Sequence, residues 1–222
     1  MADLEISQYV IAAICGCWRR ESTVNPAIWE SLIPCDWDYQ YEYTHRGGYG
    51  LGQWTNIGSQ YGRLWNLHEY VTSHGYADGD GDGQLEFMVY EEQYWVIPAR
   101  YHGRSPRLGC RTLEEFLTSP SQDIEDLVYD FLACWEGVEG DHYTERVAYA
   151  RDALRYIVQH KDDSTIWDWI ASNNYLSLND IHNNIMVIYQ RIGKWRQPSK
   201  EKKMPLWMML RKRQGKIIFQ LY

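Results

Sequence analysis

Two short stretches in the first quarter of the chain carry residue types able to do chemistry. Glu21-Ser22-Thr23-Val24-Asn25-Pro26 stands where an apolar helix runs out. Gly47-Gly48-Tyr49-Gly50-Leu51-Gly52-Gln53-Trp54 is a glycine-rich turn segment with aromatic and amide side chains. Val10, Ile14 and Cys17 are spaced by four and three residues, the period of one helix face, and Glu21 is the next position on it. A carboxyl placed there points toward apolar neighbours. Burial disfavours the charged form of a carboxyl, which then holds a proton near neutral pH and can donate it to a leaving-group oxygen. Taken alone, a Glu at a helix end is more often a surface residue. A glycine-rich segment lets backbone lie close to a ligand. Tyr49 and Trp54 offer flat faces of the kind that stack on sugar rings, and Gln53 offers a donor and an acceptor for hydroxyl or acetamido groups. Taken alone, this second segment reads as a hairpin turn with packing aromatics.

Together the two segments resemble those of the phage tail lysozyme family, within the lysozyme and lytic transglycosylase superfamily. The resemblance extends to Gln84-Leu85-Glu86-Phe87, to Trp135-Glu136 after an apolar helix, and to Arg146-Val147-Ala148-Tyr149-Ala150, in the family's order. It spans about residues 1 to 160. It implies that Glu21 is the catalytic acid, that Gln53 matches the glutamine of the transglycosylase signature, and that the substrate is the β-1,4 bond between N-acetylmuramic acid and N-acetylglucosamine of peptidoglycan. The stretch from 28 to 46 and everything from about 163 onward match no family pattern.

Acid-assisted cleavage develops positive charge at the anomeric carbon, which a second carboxylate can meet as nucleophile or base. Asp36, Asp38, Glu42 and Glu136 are the candidates, and spacing does not choose among them. Glu136 has a structural alternative, bonding a helix terminus or an arginine such as Arg146. Without a second carboxylate the sugar's own acetamido group would assist, and a lytic transglycosylase would replace a hydrolase. Tyr49, Gln53 and Trp54 are expected to line the groove. Readings from other classes are a non-catalytic peptidoglycan-binding or virion structural protein with a lysozyme-like fold, and, more distant, a peptidase or amidase.

The elements that must position these residues are mostly helical. Helical patterning or plausible starts mark 4–21, 26–33, 60–73, 84–97, 120–134 and 142–160. Asn25-Pro26 reads as an N-cap and first helical residue, pinning the first helix end. Thr112-Leu113-Glu114-Glu115 reads as a capping box, and Ser119-Pro120 as another helix start. Aromatics and glycines between 38 and 54 suggest a small hairpin. In the tail, 166–171 and 178–192 suggest helices, and 207–221 a terminal hairpin. The expected class is mainly α, an α+β lysozyme-like fold: a helical domain with a small β-hairpin and a C-terminal appendage.

Charge divides the chain. Residues 1–162 carry 12 Lys and Arg against 26 Asp and Glu, whereas 163–222 carry 10 against 4. A boundary is therefore expected between a peptidoglycan-cleaving domain, 1–162, and a basic appendage, 163–222. The basic segment suits other virion tail proteins or the acidic front domain. Nucleic acid is not an expected partner, since no binding module surrounds these charges. The start Met1-Ala2-Asp3-Leu4-Glu5 carries acids where a signal peptide carries lysine or arginine. The apolar run 9–15 is too short for a transmembrane segment. The location expected is the virion tail, or release from the host cytoplasm at lysis.

No cofactor is expected. Cysteines 15, 17, 35, 110 and 134 have no zinc spacing and read as reduced, buried residues. Asp78-Gly79-Asp80-Gly81-Asp82-Gly83 resembles the first half of an EF-hand loop, with Glu86 at its ninth position. The twelfth position is Val89, so Asp78, Asp80 and Asp82 are only a weak calcium candidate, and an acidic loop capping the helix from Gln84 is the plainer reading.

Overall fold

A computed structural model describes residues 6–30, 47–56, 62–95, 99–100, 102–137, 140, 142–165 and 181–193, together with the backbone of 33–34. Helix α1, Gln8–Ser22, starts at Ser7, whose Oγ accepts from the Val10 amide at 3.3 Å. Every residue from Val10 to Trp18 is buried. A helix apolar on all sides must be the centre of its domain. The helices around it are α2, Arg63–Ser73; α3, Gly81–Tyr90; α4, Leu113–Leu117; α5, Ile124–Phe131; α6, Tyr143–His160; and α7, Ile181–Gly193. α1 lies chiefly against α6, with α5 and α7 on its other sides. The mainly helical class is as the sequence implied.

Gly16 sets how close α1 and α6 come. A methyl group placed there would stand 2.6 Å from both the Cβ and the backbone nitrogen of Ala150. Only bare backbone fits, so the two helices touch through Gly16 and Ala150. Arg146 lies one turn before Ala150 on the same face of α6, which brings it beside the last turns of α1.

The helix expected over 26–33 does not form. Asn25 Oδ1 accepts from the Ala27 amide at 2.9 Å, an Asx-turn rather than a helix cap. The chain continues into a short strand, β1, Ile28–Trp29, antiparallel to β2, Ile33–Pro34, with Trp29 opposite Ile33. An asparagine before proline is biased toward extended backbone, and here that bias leads into strand. The glycine-rich segment joins this ribbon through bridges between Trp29 and Tyr49 and between Tyr49 and Trp54. The expected hairpin is thus present over 47–54; its first half, 38–46, lies outside the described residues.

Two other boundaries move. α5 begins at Ile124 behind Asp123, whose Oδ1 accepts from the amides of Glu125 and Asp126, rather than at Pro120. The helix expected over 84–97 is α3 followed by a single 3-10 turn, Glu92–Tyr94. Thr112 does cap α4, accepting from the Glu115 amide at 3.1 Å, while the Glu115 carboxylate takes the Arg111 amide. After α5 the chain widens into one π turn, Leu132–Glu136, closed by Gly137 at φ 83°. Cys15, Cys17, Cys110 and Cys134 are free and buried; Cys35 is outside the described residues. No helix among the described residues is long and apolar enough to cross a membrane.

The tail contributes one described helix to the core. Ile185, Met186, Val187, Ile188 and Ile192 of α7 are buried in the same cluster as α1. The tail elements expected at 166–171 and 207–221 lie outside the described residues.

Replacing Gly16 tests the close crossing. Gly16→Val should destabilise the protein by about 1–3 kcal/mol, the usual cost of overpacking. A melting temperature equal to the parent's would contradict the contact.

Candidate active site

Glu21 sits in the last turn of α1, with its side chain 26% exposed. Its Oε1 accepts from Nη2 of Arg146. The Arg146 side chain is wholly buried and its other terminal nitrogen, Nη1, donates to Glu136 Oε2 and to the carbonyl of Cys17, both at 3.0 Å. Glu136 is 5% exposed. Burial works against the guanidinium charge, but Glu136, Cys17 and Glu21 outweigh it and raise the Arg146 pKa above the usual arginine value. Glu21 therefore does not face apolar neighbours alone, as the helix pattern implied. The pattern placed it on the core face correctly; what it could not show is that the core opposite carries an arginine from a helix 125 residues away.

Of the second-carboxylate candidates, Glu136 is in contact with the same guanidinium as Glu21. It is buried there rather than presented to a groove. Asp36, Asp38 and Glu42 lie outside the described residues. The π turn explains how Trp135 and Glu136 diverge. Trp135 packs between Trp18, Trp54 and Phe131, while the next residue turns its carboxylate to Arg146. Such single widened turns recur where a helix must re-aim side chains.

The hairpin is tied to the end of α1 by polar bonds. Ser22 Oγ donates to the carbonyls of Trp18 and Leu51, both at 3.0 Å. Gly52 lies against the Trp135 ring so closely that a Cβ would come within 2.4 Å of it. Gln84, fully buried, is the fastener between three segments. Its Oε1 accepts from the Leu51 amide at 2.8 Å, and its Nε2 donates to the carbonyls of Pro26 (2.7 Å) and Asp78 (2.6 Å).

The aromatic expectation needs correction. Tyr49 and Trp54 are buried, so neither offers a ring face to a sugar. Trp54 packs edge-on to Phe87 and Trp135, and its Nε1 donates to Glu91 at 2.7 Å. Tyr49 packs on Trp29 with ring centroids 4.7 Å apart. Aromatic rings flanking glycines in a small domain are first claimed by its core. Gln53, at φ 47°, is half-buried, and its Nε2 donates to the carbonyls of Ile28 and Gly50. Among the described residues its donors thus hold the turn together.

Sequence reasoning missed a second ion pair beside the hairpin. Arg63, at the start of α2, reaches Glu91 through Nε (3.2 Å) and Nη2 (2.5 Å), donates to the Trp135 carbonyl, and lies 4.6 Å over the Trp135 ring. Burial pushes the Glu91 carboxyl up, opposed by Arg63 and by the Trp54 N–H. No local motif announces this pair, because its members come from separate helices.

Residues 1–157 match the phage tail lysozyme family. The chain belongs to that family. The family points to lysozyme-like degradation of peptidoglycan and to association with a phage virion or tail. Among curated proteins none matches the chain. The matched region holds Glu21, the hairpin, Gln84, Glu136 and Arg146, and stops short of α7.

The aspartates of the 78–82 loop of this family member do not gather around a common point. Asp80 caps α3, its Oδ1 accepting from the amides of Asp82 (2.8 Å) and Gly83 (3.4 Å). Asp78 pairs with His68 Nδ1 at 2.7 Å, and Asp82 with Arg191 Nε at 3.1 Å. Among the described residues no group of three or more His, Cys, Asp or Glu could hold a metal ion. The loop's work is to start α3 at the point that aims Gln84.

The two buried charge contacts can each be tested. Arg146→Met should destabilise by about 3–5 kcal/mol, because Glu136 is left charged and buried. Adding Glu136→Gln to it should recover a large part of that loss in a denaturant titration; a strictly additive pair would contradict the contact. His68 holds its proton to higher pH than an ordinary imidazole, chiefly through its hydrogen bond to Asp78. A raised histidine pKa stabilises the fold fully below the unfolded value, about 6.5, and that gain fades as pH rises through the folded value. Asp78→Asn should remove this pH dependence, as read from stability measured on both sides of that window and from the His68 titration by NMR.

Proposed function

We propose that the chain is a glycosidase that cleaves the β-1,4 bond between N-acetylmuramic acid and N-acetylglucosamine, with Glu21 as the proton donor. The observation that carries the reading is the arrangement at Arg146. Two carboxylates, Glu21 and Glu136, face one guanidinium, which fixes where the Glu21 carboxyl stands. Glu136 is shut in; Glu21 is the member that reaches solvent. Arg146 occupies Oε1 of Glu21, and among the described residues Oε2 has no bonded partner. A proton on that oxygen can pass to the bridging oxygen as the glycosidic bond breaks. Arg146 then stabilises the carboxylate left behind, and holds the group in one orientation throughout.

Gln53 belongs to the hairpin that Ser22 ties to the end of α1, and its carbonyl oxygen is the atom left for a sugar hydroxyl or acetamido N–H. Glu136 in this scheme balances charge and orients Arg146, and the group that meets the anomeric cation comes from elsewhere: Asp36, Asp38 or Glu42, a water, or the substrate's own acetamido group. The protein is further proposed to act as a tail- or virion-associated lysin, with 1–162 together with α7 as the cleaving unit and the rest of the basic segment 163–222 meeting other virion proteins.

Purified peptidoglycan distinguishes the outcomes. Glu21→Gln keeps the shape and the Arg146 contact but removes the transferable proton, so turnover should fall by about 10²-fold or more with the melting temperature nearly unchanged. Wild-type clearing by that variant would remove Glu21 from the role. New reducing ends would identify a hydrolase and anhydro ends a transglycosylase; intact wall material with protein bound to it would favour a binding protein.

A further inference from the structure

The turn after Glu21 is held in an unfavourable conformation by a residue outside the family-matched region. Thr23 and Val24 have φ of 53° and 59°, in the left-handed region. A β-branched residue there crowds its own carbonyl, so Val24 adopts this shape only where surroundings enforce it. From the front, α1 enforces it: the Thr23 amide donates to the Arg19 carbonyl at 3.1 Å and the Val24 amide to that of Trp18 at 3.3 Å. From behind, Asn184 of α7 enforces it. Asn184 is buried, and its Nδ2 donates to the Val24 carbonyl at 2.9 Å across 160 residues of chain. Val24 itself is wholly buried. Farther along α7, Arg191 pairs with Asp82 at the start of α3.

We propose that Asn184 is a positioning residue for Glu21: by fixing the Val24 carbonyl it locks the turn behind the acid and keeps the carboxyl aligned on Arg146. This rests on Glu21 being the proton donor. Glu21 belongs to the last turn of α1, so any unwinding of residues 23–24 frays that turn first. The Arg146 contact alone fixes one oxygen, not the backbone that carries it. α7 thereby makes a segment of the tail part of the catalytic apparatus without touching substrate.

The test uses full-length protein with Asn184→Ala, with Ile192→Ala as a control that loosens the far end of α7 without touching the turn. Asn184→Ala should lower kcat by between about tenfold and about a hundredfold with KM unchanged, whereas Ile192→Ala, matched for lost melting temperature, should leave kcat near wild type. Thr23→Gly, which accepts a positive φ without strain, should restore part of the loss when added to Asn184→Ala. Amide exchange at 23–25 should quicken and the Glu21 carboxyl ¹³C resonance should shift in Asn184→Ala, both readable in protein with no turnover. Equal kcat losses in the two α7 variants would overturn the proposal, as would unchanged exchange and an unmoved Glu21 resonance. Failure of the proton-donor reading shows separately, as full activity in Glu21→Gln.

Discussion

One buried guanidinium organises the site. Arg146 is fully enclosed and its contacts reach Glu21, Glu136 and the Cys17 carbonyl. Enclosing a cation is unfavourable unless it is both paired and hydrogen-bonded, so the surrounding geometry has little freedom. α1 must come near enough for its last turns to reach Arg146, which Gly16 permits by leaving bare backbone against Ala150. The widened turn before Gly137 must deliver Glu136, and α1 must end where Glu21 meets the guanidinium. The same core that stabilises the protein therefore sets the surroundings of the Glu21 carboxyl.

Around that centre the packing divides its labour between rings and amides. Trp18, Trp54, Trp135, Phe87 and Phe131 form a continuous aromatic cluster beneath the hairpin. They supply burial. Direction comes from polar fasteners: Ser22 to Leu51, Gln84 to Leu51, Pro26 and Asp78, and Glu91 to Trp54 and Arg63. Most of these fasteners join segments far apart in sequence, and each satisfies backbone, indole or charged groups that burial would otherwise leave costly.

Much of this is legible in the sequence where the signal is local. The 3.6-residue period of α1, the Thr112 cap and the long helix before His160 are short-range patterns, and the structure has them. The face carrying Glu21 is legible too. Asn25-Pro26 misleads because a cap and an Asx-turn begin with the same side-chain-to-backbone bond, and only the backbone of the next residues separates them. Tyr49 and Trp54 mislead because the chemistry of an aromatic ring is the same in a groove and in a core; neighbours decide. The reach of Asn184 to Val24 has no sequence signal at all, since a single buried amide in an apolar helix names no partner.

The distances along the chain have a consequence for how the protein comes into being. Glu21 waits for Arg146, 125 residues downstream, and the turn that follows it waits for Asn184, later still. Contacts of such long sequence separation close only after the intervening chain exists and its loop entropy has been overcome. During synthesis, α1 leaves the ribosome before α6 and α7, with the surface they will cover still bare. A half-made chain is therefore sticky, and the contacts of Arg146 and Asn184 arise only once α6 and α7 have emerged and docked.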